Sequence, residues 1–146
     1  MRQNLSFTLH VLTARLDRAA DRLLRAEHNV SYRRFLALTL VKELGTPTQR
    51  ALADTLGVTE PSVSRMTAVL AEDGLLDVQP DPAGGRRKLL SLTEEGDRLV
   101  TSVQRDFEKR FAKLVAHSGV PYGEYAEQTE RLLATLDHLW TEKGTR

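Results

Sequence analysis

The sequence predicts a mainly α-helical fold carrying one small β-hairpin. Apolar residues recur at spacings of three and four along most of the 146 residues, which is the helical period. Two short runs, LLDVQ at 75–79 and KLLSL at 88–92, read instead as extended, and the loop PDPAGGRR between them holds Pro82, Gly84 and Gly85, the residues of a tight turn. Aromatic residues make up only 5% while Leu, Ala and Arg abound, a balance that suits helices better than sheets.

Each element follows from its own residues. Leu5, Leu9, Leu12, Leu16, Ala19, Ala20 and Leu23 form one stripe over residues 4–27, an amphipathic helix that Asn29 ends by adopting the left-handed conformation. Ser31 starts a second helix in which Phe35, Leu36, Leu38, Leu40, Val41 and Leu44 are apolar almost all round, so it belongs in the middle of the molecule; Gly45 and Pro47 close it. A third, short helix runs from a Thr48 cap to Leu56 and stops at Gly57. Thr59 caps a fourth, with Glu60 and Pro61 in its first turn, and this helix ends near Glu72 and Asp73 before Gly74. After the hairpin, Thr93 caps a fifth helix reaching about His117, with Leu99, Val100, Val103, Phe107, Phe111 and Leu114 on one stripe. SGVPYG interrupts the pattern, and a sixth helix shows Tyr125, Thr129, Leu132, Leu133, Leu136, Leu139 and Trp140. The first, fifth and sixth helices are too long to pack on the middle alone, so a second copy of the chain is the expected partner of their stripes.

Composition excludes several classes of function. No apolar run approaches the ~18–20 residues that cross a bilayer, and the N-terminal stretch is too charged after its first turn for a signal peptide, so a cytoplasmic protein without a membrane partner is expected. Cysteine is absent, which rules out thiol redox chemistry and thiolate zinc sites. The four histidines, His10, His28, His117 and His138, are scattered without an i, i+4 pair and read as surface or packing residues; no metal site is expected. Nothing resembles a nucleophile elbow, a phosphate loop or a close carboxylate pair, so the chain reads as neither an enzyme nor a cofactor carrier. Between residues 48 and 92, Arg50, Arg65, Arg86, Arg87 and Lys88 stand against Asp54, Glu60, Glu72, Asp73, Asp77 and Asp81, a net charge of −1. If this segment binds nucleic acid, it does so with a few placed cations and a second copy of itself.

The stretch LADTLGVTEPSVSRMTAVLAEDGLL, residues 52–76, carries the most specific signal. On a wheel of about 100° per residue centred on Val63, Met66 and Leu70 fall within about 60° and form the buried side. Pro61, Ser64, Arg65, Ala68 and Glu72 lie on the opposite side with Ser62 at the flank, a face of small groups, a hydroxyl and a guanidinium that fits a groove about 12 Å wide. Ala53 at a close helix crossing, Gly57 in the turn, and Val63 and Met66 packing back give a helix-turn-helix, and the hairpin straight after it makes the unit a winged helix.

The run TPTQRALADTLGVTEPSVSRMTAVLAEDGLLDVQPDPAGGRRKLLSLTEEG, residues 46–96, resembles the winged helix of the MarR family, the multiple-antibiotic-resistance regulators. The elements that carry the likeness are the LA…LGV turn, the PSVSR recognition helix, the DGLL exit, the Asp-Pro wing and LSLTEEG entering the next helix. The resemblance implies a single unit over 1–146, in which 1–30 and 98–146 are dimerisation helices and 31–97 the winged helix-turn-helix. It further implies an obligate, triangular homodimer that sets the fourth helix in a major groove and the wing near a minor groove of a double-stranded operator. Pro61, Ser62, Ser64 and Arg65 match the groove-facing part of the recognition helix, Arg86 the wing-tip arginine, and Thr48 and Gln49 the helix start that touches phosphate. With Thr59, Ala68, Arg87 and Lys88 they make up the expected DNA-facing set; alternation along the second strand is expected to send Arg86, Arg87 and Lys88 to different faces. Two positions depart from the family: Gly84 stands where an acidic residue often holds the wing arginine, implying a looser tip, and Ala68-Val69 replaces a common Asp-Arg pair. An effector of the aromatic or phenolic acid type is the family expectation, with His10, Arg15, Tyr32, Arg34 and Phe35 as candidate ligand-binding residues. The function implied is a bacterial repressor that binds a pseudo-palindromic operator and is released by that ligand. A winged helix used as a protein–protein adaptor and a ligand-independent DNA-binding protein are the alternatives.

Overall fold

The structure, a computed structural model, describes residues 4–143; the first three and last three residues of the two expected dimerisation segments lie outside the described residues. The elements follow in the order α1 Leu5–His28, α2 Tyr32–Leu44, α3 Gln49–Leu56, α4 Glu60–Glu72, β1 Leu76–Pro80, β2 Lys88–Leu92, α5 Glu94–Ser118 and α6 Tyr122–Lys143. Mainly helical with one hairpin, this is the fold class the sequence predicts.

Hydroxyl caps set the starts. Ser31 Oγ accepts from the Arg34 N–H at 3.2 Å, Thr48 Oγ1 from Ala51 at 3.0 Å, Thr59 Oγ1 from Ser62 at 3.4 Å and Thr93 Oγ1 from Gly96 at 3.0 Å. Each takes up one of the N–H groups that a helix start leaves without an internal partner. Asn29, at φ 53° and ψ 34°, and Gly57, at φ 69° and ψ 32°, end α1 and α3 in the left-handed conformation.

Three boundaries differ from the sequence reading. The first strand begins one residue later than expected, because the Leu75 N–H closes the end of α4 by donating to the Leu70 carbonyl at 3.0 Å. It also runs on to Pro80, which pairs with Lys88 at the open end of a two-stranded sheet, where a missing N–H is tolerated. The sixth helix starts at Tyr122, inside the expected break, with the Tyr125 N–H donating to the Pro121 carbonyl. A proline and a glycine are acceptable there because first-turn N–H groups lack partners in any case.

The chain forms two compact units, one through Val103 and one from Gln104, with the boundary inside α5. The first unit is built around α2, whose Phe35, Ala37, Leu38 and Val41 are buried together with Leu24, Leu52, Val63, Leu70, Leu76, Leu90 and Val100. Burying a Leu or Val side chain fully stabilises by about 1.5–3 kcal/mol, so this cluster fixes the positions of α3, α4 and the hairpin. The hairpin pairs Leu76 with Leu92, Val78 with Leu90 and Pro80 with Lys88. On the other side of β2 the Leu90 N–H donates to the Pro47 carbonyl at 2.8 Å, and Thr48 bridges Leu89. The link between α2 and α3 thus joins the same hydrogen-bonded ladder as the hairpin. The start of α5 is seated on the exit of α4: Thr93 donates from its backbone N–H to the Leu75 carbonyl (3.2 Å) and from its hydroxyl to the Gly74 carbonyl (2.7 Å). In this unit Leu5, Phe7 and Leu9 of α1 face solvent.

The second unit consists of the remainder of α5 and α6. Tyr122 donates its hydroxyl proton to Glu108, and Arg110 pairs with Asp106 one turn away at 2.9 Å. Along α6 the side chains of Leu132, Leu133, Leu136, Leu139 and Trp140 are exposed, Trp140 to 71%.

Candidate nucleic-acid interface

The fourth helix presents two contrasting sides. Val63, Thr67 and Leu70 are buried, Ser62, Met66 and Val69 are half-buried, and Pro61, Ser64, Arg65 and Ala68 are exposed. The outward set is the one the helical wheel gives. The inward set differs in two places: Met66 is only partly covered, and Thr67, a residue not expected in the core, is fully buried. A buried hydroxyl needs partners, and Thr67 has two. Its Oγ1 donates to the Ser64 carbonyl at 3.2 Å and accepts from Gln49 Nε2 at 3.0 Å.

That pairing turns Gln49 inward. Its amide ties the first turn of α3 to the middle of α4, while the hydroxyl of its neighbour Thr48 caps α3 and that of Thr59 caps α4. The next residue, Arg50, is exposed and lies outside the set singled out from the sequence. A cleft of about 510 Å³ opens at this point between the start of α3 and the wing, and Arg50, Arg86, Arg87 and Lys88 line it together with Asp54 and Glu60.

The wing arginines reach the cleft by a route that strand alternation does not describe. Arg86 and Arg87 lie in the turn before β2, so the expected division of Arg86, Arg87 and Lys88 between faces is corrected: all three line the one cleft. The turn is held by Asp81, whose carboxylate accepts from the Ala83 N–H (2.9 Å), whose carbonyl accepts from Gly84, and whose N–H donates to the Arg87 carbonyl (3.0 Å). Gly84 at φ 92° and Gly85 at φ 82° supply left-handed backbone that few other residues adopt. The acidic group near the tip is therefore Asp81, and it binds backbone. A basic cluster that is invisible in the net charge of the segment is assembled in space by bringing Arg50 to Arg86, Arg87 and Lys88, which follow it by 36 to 38 positions.

The five candidate effector residues do not converge. Tyr32, half-buried, lines a cavity of about 430 Å³ with Asp17, Arg18, Asp21, Arg22 and Arg33. Phe35 belongs to the core, Arg34 is half-buried, and His10 and Arg15 are exposed on α1. Around Tyr32 two carboxylates one helical turn apart hold the α1–α2 junction. Asp21 accepts from the Tyr32 N–H at 2.9 Å and pairs with Arg25 at 2.8 Å, contacts that hold its carboxyl below the usual carboxylate range, the backbone bond contributing most. Burial, and then the negative charge and hydrogen bond of Asp17, push the Tyr32 phenol up. Among the described residues no group of three His, Asp or Glu is placed to hold a metal ion, and no helix is long and apolar enough to cross a membrane.

The sequence pattern of the MarR family matches residues 28–87. Over those residues the chain carries the pattern of that family. The match takes in Arg50, Glu60, Arg65, Arg86 and Arg87, which is most of the charge at the cleft and on the outer face of α4. An uncharacterised HTH-type transcriptional regulator of Mycobacterium bovis is 37% identical over 87 residues, 60% of this chain and 61% of that protein; one of Mycobacterium leprae is 38% identical over 76 residues, 52% and 53%. The chain thus spans about three fifths or less of the length of these relatives. In fold it is similar to a MarR-family regulator of Rhodococcus sp. RHA1, with a TM-score of 0.77 at 23% identity over 90% of this chain and 91% of that one. It is also similar to MepR, a transcription regulator of the Staphylococcus aureus multidrug efflux pump MepA, with a TM-score of 0.69 at 23% identity over 94% and 99%. The Mycobacterium relatives are named as HTH-type transcriptional regulators, and the Rhodococcus and Staphylococcus proteins as transcription regulators, the former of the MarR family.

Proposed function

We propose that the chain is a sequence-specific DNA-binding transcription regulator, a repressor that acts in the bacterial cytoplasm as a homodimer on a pseudo-palindromic operator and is released by a small aromatic or phenolic acid. The observation that carries this reading is the pairing of the polar outer face of α4 with the cleft beside it. Pro61, Ser64, Arg65 and Ala68 offer a low-relief surface with one guanidinium, and four cations from α3 and the wing flank it. A guanidinium at such a place pairs with a guanine edge, and flanking cations neutralise phosphates. MepR has been solved bound to DNA, and that structure shares this fold with a TM-score of 0.71. The adaptor alternative drew its support from the net charge of residues 48–92. That support weakens, because four of the five cations gather at the cleft, whereas Glu72, Asp73 and Asp77 are not among its residues. The exposed apolar residues of α1 and those of α6 each favour a second copy of the chain.

Release follows from geometry. Two recognition helices of a dimer must sit about one turn of DNA apart, ~34 Å. A ligand that prefers another spacing lowers operator affinity by the difference in its own binding to the two arrangements.

Selection of bound sequences from a random DNA pool, followed by affinity at several salt concentrations, tests the reading. The expected result is an enriched inverted repeat, lost in Arg65→Ala and weakened in Arg86→Ala. Each phosphate contact removed should lower the slope of log affinity against log salt by about 0.9. An unenriched pool with weak, uniform binding would overturn it. Operator affinity that no aromatic acid changes would favour the ligand-independent binder.

A further inference from the structure

Glu60 occupies the first helical position of α4 and, with Asp54 from the last turns of α3, puts two carboxylates into the cleft that holds Arg50, Arg86, Arg87 and Lys88. All six side chains are exposed, and among the described residues none of them forms an ion pair or a side-chain hydrogen bond. The acids therefore do not serve to fix the arginines, nor the arginines to neutralise the acids. Both signs are left available to whatever enters.

A carboxylate at the leading end of a helix that enters a DNA groove is repelled by the phosphates unless the DNA supplies a donor. The major groove supplies two kinds, the N6 amino group of adenine and the N4 amino group of cytosine. Adenine places the acceptor N7 beside its amino group, which repels a carboxylate, whereas the groove edge of cytosine itself carries a donor and no acceptor. The N-terminal residues of a recognition helix are those that reach base edges. Asp54 sits on the preceding helix, the one that crosses the backbone in this class of motif.

We infer that Glu60 is a specificity-determining residue of α4 that accepts a hydrogen bond from a cytosine N4 amino group in each half-site. The inference rests on the DNA-binding reading above. Its function is selective: the carboxylate weakens binding to every sequence, and a cytosine at one position restores it. Asp54 shares the cleft and the charge but not the reach, so it acts on affinity alone.

The test is sequence selection, then competition with sites changed at one base pair, for the intact protein and for Glu60→Gln, Glu60→Asp and Asp54→Asn. The unaltered protein should require a C·G pair at one position per half-site and lose about 5- to 150-fold in affinity when it is replaced. In Glu60→Gln that penalty should vanish or turn in favour of adenine, to which an amide can both donate and accept. Glu60→Asp keeps the charge at the helix start but shortens the side chain, and should lose the cytosine preference without gaining affinity for other sequences. Asp54→Asn should bind all sites more tightly with the same base preferences. A Glu60→Gln protein that selects the same half-site with the same penalties, and only gains affinity uniformly, would overturn the inference while leaving the regulator reading intact. Failure of the unaltered protein to select any sequence would instead remove the reading on which the inference rests.

Discussion

Replacing Gly96 by alanine should destabilise the protein, although the same change is normally favourable in a helix. Gly96 lies in the first turn of α5, is buried, and has ordinary helical backbone, so alanine by propensity alone would gain about 0.5–1 kcal/mol. Its position overrides that gain. A Cβ built there would stand 2.0 Å from the Leu75 carbonyl oxygen, 3.0 Å from the Leu75 carbonyl carbon and 3.3 Å from its Cα, and this neighbour is backbone that cannot swing aside. Relief requires α5 to lift from the α4–β1 turn, which strains or breaks the two bonds Thr93 makes to Leu75 and Gly74. Overpacking costs about 1–3 kcal/mol and each lost hydrogen bond about 1 kcal/mol. Set against the propensity gain, the net loss is roughly 2 kcal/mol. At about 2–4 °C per kcal/mol for a chain of this size, the melting midpoint should fall by roughly 4–8 °C, measured at one fixed protein concentration because association shifts such midpoints. Gly123→Ala is the matched comparison: it too is helical, with nothing within 4 Å of an added Cβ, and should be neutral or slightly stabilising. A Gly96→Ala protein as stable as the unaltered one would refute the close seating of α5 on Leu75.

Two further expectations concern the junctions that orient the candidate interface. Thr67→Val preserves shape but removes both hydroxyl bonds, so the urea midpoint should drop by the equivalent of about 1–2 kcal/mol with the slope unchanged, and a change in slope would point to a wider rearrangement. Because the Asp21 carboxyl is held below its usual range by Tyr32 and Arg25, its contribution is fully present above the unfolded value near pH 4 and is lost as pH falls through the lower folded value. Compared with Asp21→Asn, the unaltered protein should therefore keep a constant stability difference above about pH 5 and lose it in acid; a difference that does not vary between pH 5 and pH 2 would show that the ionised form is not the one engaged.

Local signals in the sequence translate directly into local structure. The hydroxyls of Ser31, Thr48, Thr59 and Thr93, the left-handed Asn29 and Gly57, and the apolar girdle of α2 act within one or two turns of chain, where spacing determines geometry. What escapes such reading depends on contacts across the fold. Thr67 falls on the inward arc of α4 by angle, but a polar residue is placed there only once its partner Gln49, 18 positions earlier, is known. Arg50 looks like any exposed first-turn arginine until the wing is folded beside it. Arg86 and Arg87 follow the turn built around Asp81, not the two-residue period of the strand they precede. The Gly of LTEEG is visible as a motif element, but its reason, a helix resting on the Leu75 carbonyl, is a distance between chains of residues that periodicity does not encode.

The ladder shared by the wing and the α2–α3 link limits how this protein can be recombined with its relatives. With the Leu90 N–H bound to the Pro47 carbonyl and Thr48 bridging Leu89, the wing is not an appendage that can be exchanged at the residues flanking the hairpin. A chimaera that takes only residues 75–92 from a relative inherits one half of a backbone seam and must fit it to a foreign other half. The exchangeable cassette runs from the Gly45 turn to the end of β2, so the two helices between those points and the wing are expected to be inherited together as one piece.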